Sequence, residues 1–224
     1  MRLRIAKAEE RAYAEILEAI VTQEYAPGDH LTEAALAEKL NISRTPVRSA
    51  LKKMIVCGML EYRKNTGYII PVLTPGDMEN VFQARAAIEA KTSCLAAARA
   101  TEAEVSELFC LIGKEKDFYS KGKISEYTKT NESIHLGIAA MSKNDYLKRF
   151  IFQVFWRSEL YVVFFDSFYH RNRQQRDPNV SKSCEEHDKL VGAIARKDCK
   201  AAAELMKAHI MSTYSSLTGL LPVL

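Results

Sequence analysis

The residues best suited to chemistry on a charged polymer lie between Ser43 and Lys52. At 100° per residue, Val47, Ala50, Leu51 and Met54 share one arc of a helix, and Arg44, Arg48 and Lys52 share the opposite arc, with Thr45 and Ser49 beside them. An arginine fork can donate two hydrogen bonds to guanine O6 and N7, discriminating against other bases by about 1–3 kcal/mol. Ser43, Thr45 and the unpaired amides of a helix start can hold phosphate oxygens, which fixes register without reading sequence. Pro46 falls in the first turn, where amides have no intrahelical partner to lose. Charge alone also allows the plainer alternative, a solvated face.

Clustering carries more weight than total charge. The net charge of +4, from 32 basic against 28 acidic residues, is too balanced to define a nucleic-acid partner. Between Asn41 and Ile70, however, Arg44, Arg48, Lys52, Lys53, Arg63 and Lys64 are opposed by Glu61 alone. Lys64 falls in a turn from which it could follow a phosphate backbone or a minor groove.

The elements around this segment have a recognisable order. Apolar spacing predicts helices over about 9–22, 32–39 and 43–56, broken at Pro27-Gly28 and ended by Gly58. Leu60–Arg63 and Tyr68–Val72 flank a turn at Lys64–Gly67 and predict a β-hairpin. Three helices and a hairpin make a winged helix-turn-helix. Thr74-Pro75-Gly76-Asp77 marks a boundary between a winged helix-turn-helix domain over 1–74 and an all-helical domain over 75–224. In the second domain helices are predicted over about 77–99, 102–120, 124–141, 144–169, 180–196 and 198–218, with Asp77, Thr101 and Asp198 as N-caps and loops at Gly122 and Pro178. The expected fold class is mainly α, a winged helix-turn-helix followed by a helical bundle.

Composition narrows the class further. An apolar share of 47% with 27% charged residues fits a globular protein. Five scattered cysteines without a CxxC pair argue against a disulfide framework and favour a reducing cytoplasm. The start of the chain lacks the apolar core of a signal peptide, and Tyr161–Phe165 is far too short to span a bilayer. A soluble cytoplasmic protein without a membrane partner is expected.

The run Pro27-Gly28-x-x-Leu31-x-Glu33-x-x-Leu36-Ala37-x-x-Leu40-x-Ile42-Ser43-Arg44-Thr45-Pro46-Val47-Arg48-x-Ala50-Leu51 resembles the GntR family of bacterial transcription regulators. The resemblance covers about 9–73. It implies DNA contact by Ser43, Arg44, Thr45 and Arg48, with Gly67 shaping the wing tip. Ser49 stands where the family often has Glu, and Ala34 where some members have a DNA-contacting Arg.

The second domain resembles the FadR C-terminal (FCD) subfamily through Arg85-x-x-Ile88-Glu89, Asn131-x-x-Ile134-His135, Asn144-x-x-Leu147, Glu186-His187 and His209. Many members bind a divalent metal through an Asp, a His four residues later, and two His on the last two helices. The resemblance thus implies a site of Asn131, His135, His187 and His209, with Asn131 a neutral departure from Asp. Three imidazoles suit Zn²⁺, or Ni²⁺, Mn²⁺ or Fe²⁺, and leave positions for water or a carboxylate effector. The alternative is a set of buried, hydrogen-bonded histidines without metal. Arg85 could hold an anionic effector or form an i,i+4 bridge to Glu89. Tyr127, Trp156, Arg157 and Tyr161 could border a pocket or be core, while His30 and His170 match no ligand position.

The expected function is a homodimeric, ligand-responsive regulator that binds a double-stranded, roughly palindromic operator and senses a small organic acid. A metal-dependent enzyme using the three histidines, or a constitutive DNA-binding protein with a purely dimerising helical domain, are the alternatives.

Overall fold

A computed structural model describes residues 2–170, 181–218 and 220. The chain divides into two compact units, Met1–Thr74 and Pro75–Leu224. The Pro178 loop expectation lies outside the described residues, as does the side chain of His170.

The first unit contains helix α1 (Arg2–Val21), strand β1 (His30–Leu31), α2 (Glu33–Leu40), α3 (Arg44–Val56), β2 (Glu61–Arg63) and β3 (Gly67–Ile69). The amphipathic arc of α3 explains its placement. Val47, Ala50, Leu51 and Met54 are fully buried, and α3 packs on α1, whose Ala12, Ile16 and Ile20 are buried too. Burial of each large apolar side chain contributes about 1.5–3 kcal/mol. Thr32 caps α2 by accepting from the amide of Ala35, and Asn41 ends α2 in the left-handed region at φ 51°, turning the chain into α3. The expected hairpin is present as the antiparallel pair β2 and β3, and β1 adds a third strand on the other edge of β3, giving the order β1-β3-β2. Its added strand has only two residues, too few for any periodic signal. Gly67 has φ +87°, where a side chain would strain the backbone.

The second unit contains α4 (Pro75–Arg99), α5 (Glu102–Ser120), α6 (Ile124–Met141), α7 (Asp145–Phe165), the short α8 (Ser167–His170), α9 (Lys182–Ala195) and α10 (Cys199–Leu217). It is a helical bundle in which α4 packs against α6, α7, α9 and α10. Thr101 and Glu104 form a capping box at α5, and Asp198 caps α10 through the amide of Ala201. Asp77 is no N-cap, because Pro75 already opens α4. Its carboxylate accepts instead from Arg157 Nε at 2.8 Å and the Tyr161 hydroxyl at 2.6 Å. The helix expected over 144–169 breaks at Asp166, which leaves the helical region with ψ 132°.

Cys94 on α4 and Cys199 at the start of α10 are joined by a disulfide across 105 positions, contrary to the expectation from cysteine spacing. Spacing could not reveal the pair, since only the packing of α4 on α10 brings it together. Cys57, Cys110 and Cys184 are free thiols, and no helix among the described residues is long and apolar enough to cross a membrane.

Candidate nucleic-acid interface and metal centre

The buried arc of α3 leaves Ser43, Arg44, Thr45, Arg48 and Lys52 exposed on its other side. Ser43 caps the helix without a side-chain hydrogen bond, so its hydroxyl is not spent on the helix start. Lys64 is exposed at the wing tip, next to the Gly67 turn. One contact went unseen in the sequence. Arg48 donates from Nε to Glu33 at 2.8 and 3.0 Å and from Nη2 at 2.7 Å, and Glu33 also accepts from the Tyr68 hydroxyl at 3.1 Å. The Arg48 hydrogen bonds hold the Glu33 carboxyl below its usual range. Glu33 thereby fixes the fork of Arg48 at the edge of a groove formed with Lys52, Tyr62, Thr66 and Gly67. Tyr62, 62% exposed, meets Tyr68 edge to face at 5.5 Å. Lys53 turns away to lie over the Tyr13 ring.

In the helical unit His135 of α6, His187 of α9 and His209 of α10 converge. His187 Nε2 lies 3.2 Å from the Nε2 atoms of both His135 and His209, and the three possible ligand atoms fall within 4.8 Å of one another. All three rings are at least nine-tenths buried. Every Nδ1 faces a carboxylate: His135 pairs with Glu89, His187 with Glu115 at 2.9 Å, and His209 with Glu186 at 2.8 Å. A carboxylate on Nδ1 fixes the tautomer that carries its proton there and leaves the Nε2 lone pair pointing into the cluster. Three lone pairs so close together repel unless a cation lies among them. Burial drives the His135 and His209 imidazoles toward the neutral form, down to about 4 and about 3, against the pull of Glu89 and Glu186. Neutral imidazole is the form that ligates.

Asn131 sits one turn before His135 and is 8% exposed. Its amide nitrogen donates to Glu159 at 3.2 Å, and its Oδ1 has no hydrogen-bond partner among the described residues. An orphaned buried oxygen costs about 1–3 kcal/mol. This donor set, three Nε2 atoms and an amide oxygen, fits a divalent ion of the zinc or first-row type.

Arg85 is also buried. It donates to Glu89 from Nε and to Ser158 and Glu159 from Nη1 at 3.0 and 3.2 Å, and it stacks over Phe155. The i,i+4 bridge to Glu89 is therefore present. Burial pushes the Glu89 carboxyl up, but Arg85 and His135 outweigh it and hold it down at about 2. At Glu159 burial wins over Arg85, and its carboxyl is raised. A cavity of about 140 Å³ opens beside the cluster, lined among others by Arg85, Tyr127, Asn131, Glu159 and His209. Trp156 is core and donates to Glu132 at 2.7 Å, while Arg157 and Tyr161 serve Asp77. Of the aromatic candidates named from the sequence, Tyr127 lines this cavity. His30 is exposed on β1.

A helix-turn-helix with an exposed cationic face and a wing, followed by a helical bundle enclosing three histidines, defines a two-domain DNA-binding regulator. The family comparison gives it a place: residues 8–70 match the gntR family of bacterial regulatory proteins and residues 80–212 match the FCD domain. The chain belongs to the GntR family and is a transcriptional regulator of the GntR/FCD type. It is 33% identical over 129 residues to the Nta operon transcriptional regulator of Aminobacter aminovorans, covering 57% of this chain and 60% of that protein's length. It is 24% identical over 212 residues to the HTH-type transcriptional regulator LutR of Bacillus subtilis, covering 88% and 94%. The solved structure of E. coli McbR/YncC superposes with a TM-score of 0.76 over 95% of this chain and 96% of that one, at 20% identity, a likeness of fold alone. These relatives are regulators rather than enzymes.

Proposed function

We propose that this chain is a cytoplasmic, ligand-responsive regulator with domains at 1–74 and 75–224, acting as a homodimer on a double-stranded operator. Arg48 and Arg44 read base edges in the major groove, Ser43 and Thr45 hold phosphates at the helix start, and Lys52 and Lys64 add backbone contacts, with Gly67 setting the wing turn. His135, His187, His209 and Asn131 hold one divalent ion. When bound, that ion supplies positive charge and open positions for an oxygen donor of a small organic acid. Arg85 holds Glu159 in the cavity wall and Glu89 against His135, so its part in effector binding is to orient the Glu159 carboxylate and support the histidine. Differential binding of the effector biases operator affinity, and a coupling of about 1–3 kcal/mol gives roughly 5–150-fold regulation.

The observation that carries this reading is the convergence of three Nε2 atoms whose Nδ1 partners are all carboxylates. Buried histidines that were merely structural would have no reason to turn three lone pairs on one another. The DNA half is tested by titrating selected operator and scrambled duplexes with Arg48→Ala. The variant is expected to lose about 1–3 kcal/mol of discrimination, whereas unchanged sequence preference would remove α3 from base readout.

A further inference from the structure

Away from the three histidines, the described wall of the cavity is rich in hydrogen-bond acceptors. At about 140 Å³ it accommodates a small metabolite. Among the described residues, three carboxylates, Glu159, Asp166 and Glu186, reach its wall, with two cationic side chains, Arg85 and Lys182. Arg85 is already committed to Glu89, Glu159 and Ser158. Lys182 is 73% exposed and stands 3.8 Å from Glu186.

Three hydroxyls of the wall add to these acceptors. Thr213 and Ser216 donate to backbone carbonyls of their own helix, at His209 and Thr213, so each hydroxyl is left able only to accept. Thr128 likewise donates to Ile124, so in its contact with Tyr169 the phenol is the donor, and the Tyr169 lone pairs remain. Asn131, whose Oδ1 is the amide donor of the proposed ion, lines this wall and brings that ion to the edge of the cavity. Phe82, Tyr127 and Tyr169 contribute aromatic faces, which attract cations as well as apolar groups. An ion held by Asn131 and His209 would take the carboxylate end of a ligand, and the wall beyond it offers the rest of that ligand mainly acceptors among the described residues.

We propose that the cavity selects a small amino acid over the corresponding hydroxy or unsubstituted acid, its ammonium group donating to Glu159 with Asp166 and Glu186 supplying the surrounding negative field. The inference rests on the reading of this cavity as the effector site and narrows the chemistry of its ligand. Glu159 is the primary acceptor because its Oε2 accepts from Asn131 Nδ2 at 3.2 Å, while Arg85 engages its other oxygen, and both Glu159 and Asn131 line the space. An ammonium offers three donors to a wall of acceptors, and hydrogen bonds to charged partners are the strong ones.

The test uses the full chain as purified, with thermal shift and calorimetry on pairs that share a skeleton: L-alanine and L-lactate, L-glutamate and 2-hydroxyglutarate, 4-aminobutyrate and 4-hydroxybutyrate. The expected result is that at least one amino member binds about tenfold tighter than its hydroxy twin. In Glu159→Gln that preference shrinks toward parity. Because Glu159 also pairs with Arg85, Asp166→Asn provides a second variant, in which the preference falls about threefold. A hydroxy acid binding as well as or better than its amino twin overturns the ammonium inference and leaves the effector-site reading standing. If no member of any pair binds, the inference falls, and a metal-dependent change in operator affinity decides separately whether the cavity is a sensor.

Discussion

The exposed face of α3 and the buried histidine cluster are both built from charged side chains, yet they obey opposite rules. On α3 the cations face water, where each exposed pair contributes little to stability, so the pair of Arg48 with Glu33 is free to open for DNA in the function proposed above. In the bundle Arg85, Glu89, His135 and Glu159 lie within a few per cent of full burial, where an unpaired charge costs several kcal/mol. The difference separates roles: the surface can change partners, and the buried cluster must keep its partners unless an ion or ligand replaces them.

The largest expected effect lies in the buried cluster. Glu89→Ala takes one of the two carboxylates from buried Arg85 and leaves His135 Nδ1 without its partner, and should destabilise the fold by about 3–5 kcal/mol, read as a lower urea midpoint. A loss below about 1 kcal/mol would make the buried cluster as tolerant as the surface helix and erase the contrast. Asn131→Asp restores the carboxylate that the resemblance leads one to expect. It should raise divalent-ion affinity about tenfold in calorimetric titration, and an unchanged affinity would place Oδ1 outside the coordination shell. The smallest effect belongs to the surface. Glu33→Gln releases the Arg48 fork and removes a negative charge facing phosphate, so affinity for non-operator DNA should rise a few-fold while discrimination narrows. Equal loss on all duplexes would instead make Glu33 a folding residue.

The same contrast governs what the sequence reveals. The α3 arc is legible because its signal is local: buried and exposed residues alternate within thirteen positions of one helix. The helix-turn-helix follows from it, and family motifs carry the three histidines. Their supporting shell is harder to see. Glu186 stands beside His187 in sequence yet pairs with His209, and Glu115 is one acid among several charges on α5, with nothing local to mark it as the partner of His187. Strand β1, the Asp166 break, the Asp77 bridge to α7 and the Cys94–Cys199 bond likewise depend on what packs nearby rather than on spacing. Glu33 shows the limit most clearly. It sits inside the recognised motif, but its hold on Arg48 requires α2 and α3 to be folded against each other.

Metal content of the purified chain tests the central claim most directly. After exhaustive dialysis without chelator, elemental mass spectrometry should find about one divalent first-row ion per wild-type chain, and His187→Ala, which removes the shared Nε2, should retain almost none. A wild-type protein that neither retains an ion nor takes one up from added zinc, nickel, manganese or iron would contradict the account and leave the three histidines as structural residues.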